Sequence, residues 1–327
     1  MKCTNKLCSC FLISCVLIGS LTGCGQDTYS MAYDRNASVS SFRFSTVDDS
    51  GVAKSFASDL CVTEGNVSEG TDVALEEGNA SILCDINNRK VIYAKAVHDQ
   101  MEPASLTKVM TALVALKYGN LDDVLTASSN VNIGESGASV VGLKAGDTMT
   151  LDQALHALLM PSGNDAAVLI AENIGGSVEG FAQMMNDEAK AIGATNCNFV
   201  NPHGLTAESH YVTAYDMYLI FAEAIKYDKF TEIINLDTYS TVYYDAQGKP
   251  KELTCKTTNL FLKGTYTAPD HITVIGGKTG TTNSAQNCLV ILAKDTSGNP
   301  YVAVILKCSE RGILYQEMTD LLTEINN

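Results

Sequence analysis

The pattern of the 327-residue chain predicts an α/β protein of the α+β type, with an antiparallel sheet flanked by helices and a helical lobe inserted into it. Three observations predict it. Two strand patterns joined by a polar turn open the folded part, a series of amphipathic helices fills the middle, and the last third returns to strand-like runs. Strands at both ends with helices between them imply one antiparallel sheet made from both termini, with the helices on its faces.

Each element has a local reason. Ala80 to Cys84 and Val91 to Ala96 are apolar runs around the polar stretch Asp85 to Lys90, which predicts a hairpin. From Ser105 to Tyr118 the residues Leu106, Val109, Met110, Leu113, Val114 and Leu116 share one broad helical face, and Gly119 stops the helix. A second helix begins at Thr150, which stands to Gln153 as in a capping box, and runs to Pro161. Helices follow over Asp165 to Asn173, Val178 to Ile192, and Thr213 to Lys226, the last with Asp216 three residues after its Thr213 cap. Thr238 to Tyr244, Thr273 to Thr281, Gln286 to Lys294 and Tyr301 to Lys307 read as strands, with a turn over Asp295 to Pro300, and Ile313 to Ile325 closes the chain as a helix.

Composition narrows the classes of function. With 46% hydrophobic and 18% charged residues the chain is globular rather than disordered. Its 22 Lys plus Arg against 37 Asp plus Glu, a net charge of −15, argue against a nucleic-acid-binding surface. The first 23 residues have the anatomy of an export signal, with Lys2 and Lys6 ahead of the apolar run Phe11 to Leu21. That run is short of the roughly 20 residues a membrane-spanning helix needs. The stretch ends in Leu21-Thr22-Gly23-Cys24, which resembles a bacterial lipobox, so Cys24 is the expected lipidation site and the expected location is the outer face of the cell membrane. Residues 24–78, rich in Ser, Asp, Glu, Thr and Gly, read as a flexible tether, which leaves 79–327 as the folded domain. Cys61, Cys84, Cys197, Cys255, Cys288 and Cys308 are scattered with no CxxC pair, which leaves buried thiols and disulfides both open. The five histidines have no metal-ligand spacing, so no metal or other cofactor is expected.

Ser105-Leu106-Thr107-Lys108 puts a hydroxyl and an amine on one helical face, one turn apart. A serine hydroxyl becomes a nucleophile when a base lies within hydrogen-bond reach, and a lysine serves once burial and a neighbouring cation favour its neutral form. Of three SxN triplets, Ser162-Gly163-Asn164 alone sits in a tight link between two apolar helices, where Ser162 can shuttle a proton and Asn164 can hold a substrate carbonyl. Lys278-Thr279-Gly280 follows an apolar strand and two glycines. There Lys278 can attract a substrate carboxylate, and Gly280 lets a ligand backbone approach an edge strand. The N–H groups of Thr281 and Ser105 are the expected oxyanion hole.

SxxK, SxN and KTG in this order are the signature of class A β-lactamases and penicillin-binding proteins. From about Ala80 onward the chain resembles the D-alanyl-D-alanine carboxypeptidases, peptidase family S11. The phrases that carry this are Pro103 to Lys108, Ser162-Gly163-Asn164-Asp165-Ala166-Ala167, Asn201-Pro202-His203-Gly204-Leu205, His210-Tyr211 with Thr213 and Asp216-Met217, and Gly277 to Gly280. The resemblance implies the serine β-lactamase/DD-peptidase fold. It makes Ser105 the acylated nucleophile, Lys108 the base, Ser162 and Asn164 the second motif, and Lys278 with Thr279 the carboxylate site. His203 and His210 fall at positions read as structural, holding a turn and a helix entry. Peptidoglycan stem peptides are then the expected substrates and β-lactams the expected covalent inhibitors.

Many relatives carry a further C-terminal β domain and an amphipathic membrane helix. Here no separate C-terminal domain is expected after the closing strands and helix, and lipid at Cys24 would replace that anchor. A serine β-lactamase is the rival enzyme, and a non-catalytic penicillin-binding sensor the rival of another class. The Glu-x-x-Leu-Asn phrase that supplies the deacylating carboxylate in class A β-lactamases does not occur between the second and third motifs.

Overall fold

The computed structural model describes residues 59–68, 70–71 and 73–326; Cys24 and the signal segment lie outside them. Two strands, β1 (Ala80–Asp85) and β2 (Lys90–Lys95), form the expected hairpin. After a 3-10 turn over Ala104–Leu106 comes α1 (Thr107–Tyr118), then the short strands β3 (Val124–Thr126) and β4 (Thr148–Thr150). Helices α2 (Leu151–Leu159), α3 (Asn164–Gly175), α4 (Val178–Ala191), α5 (Ala214–Ala224) and α6 (Asp228–Asn235) build the lobe. Strands β5 (Thr238–Tyr244), β6 (Pro250–Lys256), β7 (Thr273–Thr282), β8 (Gln286–Lys294) and β9 (Pro300–Cys308) precede α7 (Arg311–Thr323).

The strands from both ends of this unit meet in one antiparallel sheet of order β2-β1-β9-β8-β7. Its central strands are apolar at nearly every position because both faces are covered. On β8 and β9, Cys288, Val290, Leu292, Val302, Val304 and Leu306 pack toward α1 and the lobe. The alternate residues Leu289, Ile291, Ala303 and Ile305 pack against Leu314, Met318, Leu321 and Leu322 of α7. Strand β7 is left at the sheet edge.

Three expectations change. The run Thr238 to Tyr244 does form a strand, but it joins a second sheet of order β3-β4-β5-β6. Strand β6 escapes a pattern search because only Leu253 and Cys255 turn inward, and α6 escapes because it is eight residues long. The third is the tether, which does not extend to Gly78 as expected. Cys61 is buried with its N–H on the Tyr218 hydroxyl at 2.9 Å, Val67 pairs with Ala94, and Glu317 accepts from the Glu76 N–H and, at 3.0 Å, from the Asn79 amide. The packed unit therefore begins at Asp59. All six cysteines of the described region are free thiols.

Candidate active site

The chain enters α1 through a strained turn. Ala104 has φ +48°, a conformation unusual for a residue with a Cβ, and the next residue is Ser105. One turn on, Lys108 is fully buried, and its Nζ lies 2.9 Å from Ser105 Oγ, 2.6 Å from Asn164 Oδ1 and 2.6 Å from the His203 carbonyl oxygen. A neutral amine has two N–H donors and one lone pair. The two carbonyl-type oxygens take the donors, which leaves the lone pair for the Ser105 hydroxyl. Burial, then the charge of nearby Lys278, hold the Lys108 pKa well below the ordinary lysine value, with Asp165 opposing.

The second motif lies between α2 and α3. Ser162 is buried at φ +66°, and Lys278 Nζ donates to its Oγ at 2.9 Å and to the Thr279 carbonyl at 2.8 Å. Burial lowers the Lys278 pKa to about 7. Two hydroxyl–amine pairs result, Ser105 with Lys108 and Ser162 with Lys278. Between them opens a cleft of about 250 Å³, lined among others by Ser105, Ser162, Asn164, Thr279, Gly280, Thr281 and Arg311. Gly280 leaves little room for a side chain, since a Cβ there would stand a tight 3.0 Å from Pro103 O and 3.1 Å from Ser105 N. That close approach brings edge strand β7 against Ser105.

All the residues singled out by sequence in the described region converge here, but two sit differently from expectation. Asn164 reaches the Lys108 amine, and the Lys278 amine is turned to Ser162 instead of lining the cleft. Three features have no motif signal. The His203 carbonyl reaches Lys108 because the Asn201 amide oxygen accepts from Gly204 N–H at 2.7 Å and bends the Asn201–Leu205 turn. The Asp165 carboxylate binds the backbone N–H groups of Val141, Gly142 and Leu143, anchoring a loop whose Gly137, Ala138 and Ser139 form a cleft wall. Arg311, exposed at the start of α7, lends the cleft a guanidinium. His203 and His210 are buried and held neutral, with pKa values lowered to about 3 and about 4, chiefly by burial.

The family model for D-alanyl-D-alanine carboxypeptidase, peptidase S11, matches residues 69–310. The chain is 35% identical over 257 residues to D-alanyl-D-alanine carboxypeptidase DacF of Bacillus subtilis, covering 76% of this chain and 63% of the relative. It is 33% identical over 257 residues to DacC of Escherichia coli, covering 76% and 60%. The alignments thus span about three fifths of the length of these relatives. Among solved structures, the Streptomyces K15 DD-transpeptidase superposes with a TM-score of 0.69 at 27% identity, covering 75% of this chain and 95% of that one.

Proposed function

We propose, since the chain belongs to the D-alanyl-D-alanine carboxypeptidase family S11, that it is a serine peptidase removing the terminal D-Ala from peptidoglycan stem peptides through an acyl-enzyme on Ser105. The observation that carries this is the environment of Lys108. Two carbonyl-type oxygens and one hydroxyl around a fully buried amine describe a lysine prepared to accept the Ser105 proton.

In this reading Lys108 Nζ takes the proton as Ser105 Oγ attacks the carbonyl of the penultimate residue. The oxyanion is met by the N–H groups of Ser105 and of Thr281 on β7. Ser162 delivers a proton to the departing D-Ala amine and is reprotonated by Lys278, to which it is bonded. The water that later hydrolyses the ester gives its proton back to this pair, and Lys108 returns its own to Ser105 Oγ. Thr279 and Arg311 receive the substrate carboxylate, with the positive charge of Lys278 behind them. The peptide extends along β7, whose free edge offers backbone pairing. A β-lactam placed in the same cleft acylates Ser105. Lipid on Cys24 holds the protein to the outer face of the cell membrane; among the described residues no helix is long and apolar enough to cross one.

The test is incubation with a pentapeptide ending in D-Ala-D-Ala, reading free D-Ala and protein mass. Ser105→Ala should release no D-Ala and form no penicillin adduct. An adduct that persists in that variant removes Ser105 from the role.

A further inference from the structure

Thr107 stands between the nucleophile and the base in sequence but turns away from both. Its hydroxyl donates to the Ala104 carbonyl at 2.8 Å and lies 2.9 Å from His210 Nε2, and the Thr107 and His210 side chains are both buried. On the other side of the ring, His210 Nδ1 accepts from the Val200 N–H at 3.2 Å. A neutral imidazole that accepts at Nδ1 carries its proton on Nε2. Nε2 therefore donates to Thr107 Oγ1, and the one hydroxyl proton goes to Ala104 O. The chain runs in a single direction, from Val200 through His210 and Thr107 to Ala104. Burial keeps the ring neutral by lowering its pKa to about 4.

The end of this chain is the strained residue. Ala104 O accepts the Thr107 hydroxyl while its own φ is +48°, a conformation that persists only where the surroundings enforce it. Gly204 closes the other side, because a Cβ there would lie 1.8 Å from Ala104 O. The Ala104 carbonyl and the Ser105 N–H are two ends of one peptide group. The described peptide bonds are all trans, so a carbonyl fixed toward Thr107 turns the N–H the opposite way, toward Gly280 and β7.

We infer that Thr107 and His210 are positioning residues that lock and polarise the Ala104–Ser105 peptide as an oxyanion-hole donor. The inference rests on the reading of Ser105 N–H as one of the two donors. A hydrogen bond into the carbonyl draws density from the amide nitrogen and strengthens its N–H as a donor. It also blocks the flipped peptide, which would aim a carbonyl oxygen at the developing negative charge.

The experiment is penicillin acylation of the wild type and of Thr107→Val, Thr107→Ala and Thr107→Ser, with the infrared stretch of the acyl-ester carbonyl in each adduct. Removing an oxyanion donor slows reaction about 100- to 1,000-fold, and a misaligned one should slow it roughly 10- to 100-fold. The limiting rate should fall by that factor in Thr107→Val and Thr107→Ala, with the half-saturating concentration unchanged. Their ester carbonyl should stretch at higher wavenumber, and Thr107→Ser should restore both readings. Wild-type rate in Thr107→Val overturns the inference. So does a slowed variant with an unshifted carbonyl that serine does not rescue, because that assigns Thr107 to packing. If Thr107→Val fails to fold, Thr107→Ala carries the same comparison with less bulk. A wild-type protein that takes up no penicillin refutes the preceding functional reading, and this inference with it.

Discussion

Asp165→Asn tests whether one buried carboxylate builds a wall of the cleft. Its Oδ2 accepts from Val141, Gly142 and Leu143 N–H at 3.0, 2.8 and 3.0 Å, and its Oδ1 from Ala166 and Val141 at 3.0 Å each. The loop is held further by Asn164 N–H on Ser139 O at 2.8 Å and by the Ser139 hydroxyl on Pro161 O at 2.7 Å. Asparagine has nearly the same shape but a single accepting oxygen. In its better orientation it keeps the three loop donors, loses charge assistance on each, and sets an NH2 against the Ala166 N–H. Charge assistance is worth roughly 1 kcal/mol per bond and an unsatisfied buried donor about 1–3 kcal/mol. Relief from burying an anion offsets part of this, leaving a loss of about 2–4 kcal/mol. For a domain of this size that lowers the Tm by roughly 5–12 °C. Differential scanning fluorimetry reads the shift, and limited proteolysis should cut first in residues 137–143. Asp165 also raises the Lys108 pKa, so its neutralisation should move the acid limb of penicillin acylation to lower pH. A Tm within about 2 °C of wild type, with no new cleavage in the loop, would refute the argument.

Further outcomes follow from other groups. Lys278 titrates near 7 when folded against an ordinary value of 10.5, so the unfolded chain binds that proton more tightly above pH 7. Stability to urea should therefore rise between pH 7 and about 8.5, by up to about 1.4 kcal/mol per unit, and Lys278→Met should flatten the slope; a flat wild-type profile contradicts a Lys278 pKa lowered by burial. Arg311→Gln should weaken turnover of peptide acids roughly 10-fold or more while sparing their amides, and equal losses on both would remove Arg311 from the carboxylate site. The penicilloyl-enzyme should persist, because among the described residues no Asp or Glu lines the cleft and Glu172 and Glu188 are bound elsewhere, to Ser128 and Lys117. Rapid clearance of a chromogenic cephalosporin would promote the β-lactamase alternative. Cys24→Ser, expressed in a bacterial host, should abolish incorporation of labelled fatty acid, and unchanged labelling would dispose of the lipobox.

What was readable in the sequence was what neighbours along the chain decide. The Thr150–Gln153 capping box is present on both sides, at 3.2 and 2.9 Å, and Thr213 caps α5 through the Asp216 N–H at 3.0 Å. Both are contacts across three residues, and a local pattern fixes them. The assignment of β5 to a second sheet depends on pairing with β4 and β6, whose exposed faces suit solvent and give weak alternation. The packing of Asp59 to Gly78 depends on single buried groups such as Cys61, in a stretch whose composition is otherwise that of a linker.

The same division runs through the site. Helical spacing places Ser105 and Lys108 side by side, but spacing alone says nothing of the protonation state of the amine. That state is set by burial and then by the charge of Lys278 on β7, while Asn164 from α3 and a main-chain oxygen of the turn at His203 orient the amine. A carbonyl has no residue-type signature, so the His203 contact could not be read from any motif. The geometry of a hydroxyl–amine pair is thus local, while its reactivity is tertiary. A substitution such as Asn201→Ala, which leaves every motif residue in place, should relax the turn that brings the His203 carbonyl to Lys108. The amine would then lose one of the two oxygens that orient its lone pair toward Ser105, and acylation should slow with the motifs intact.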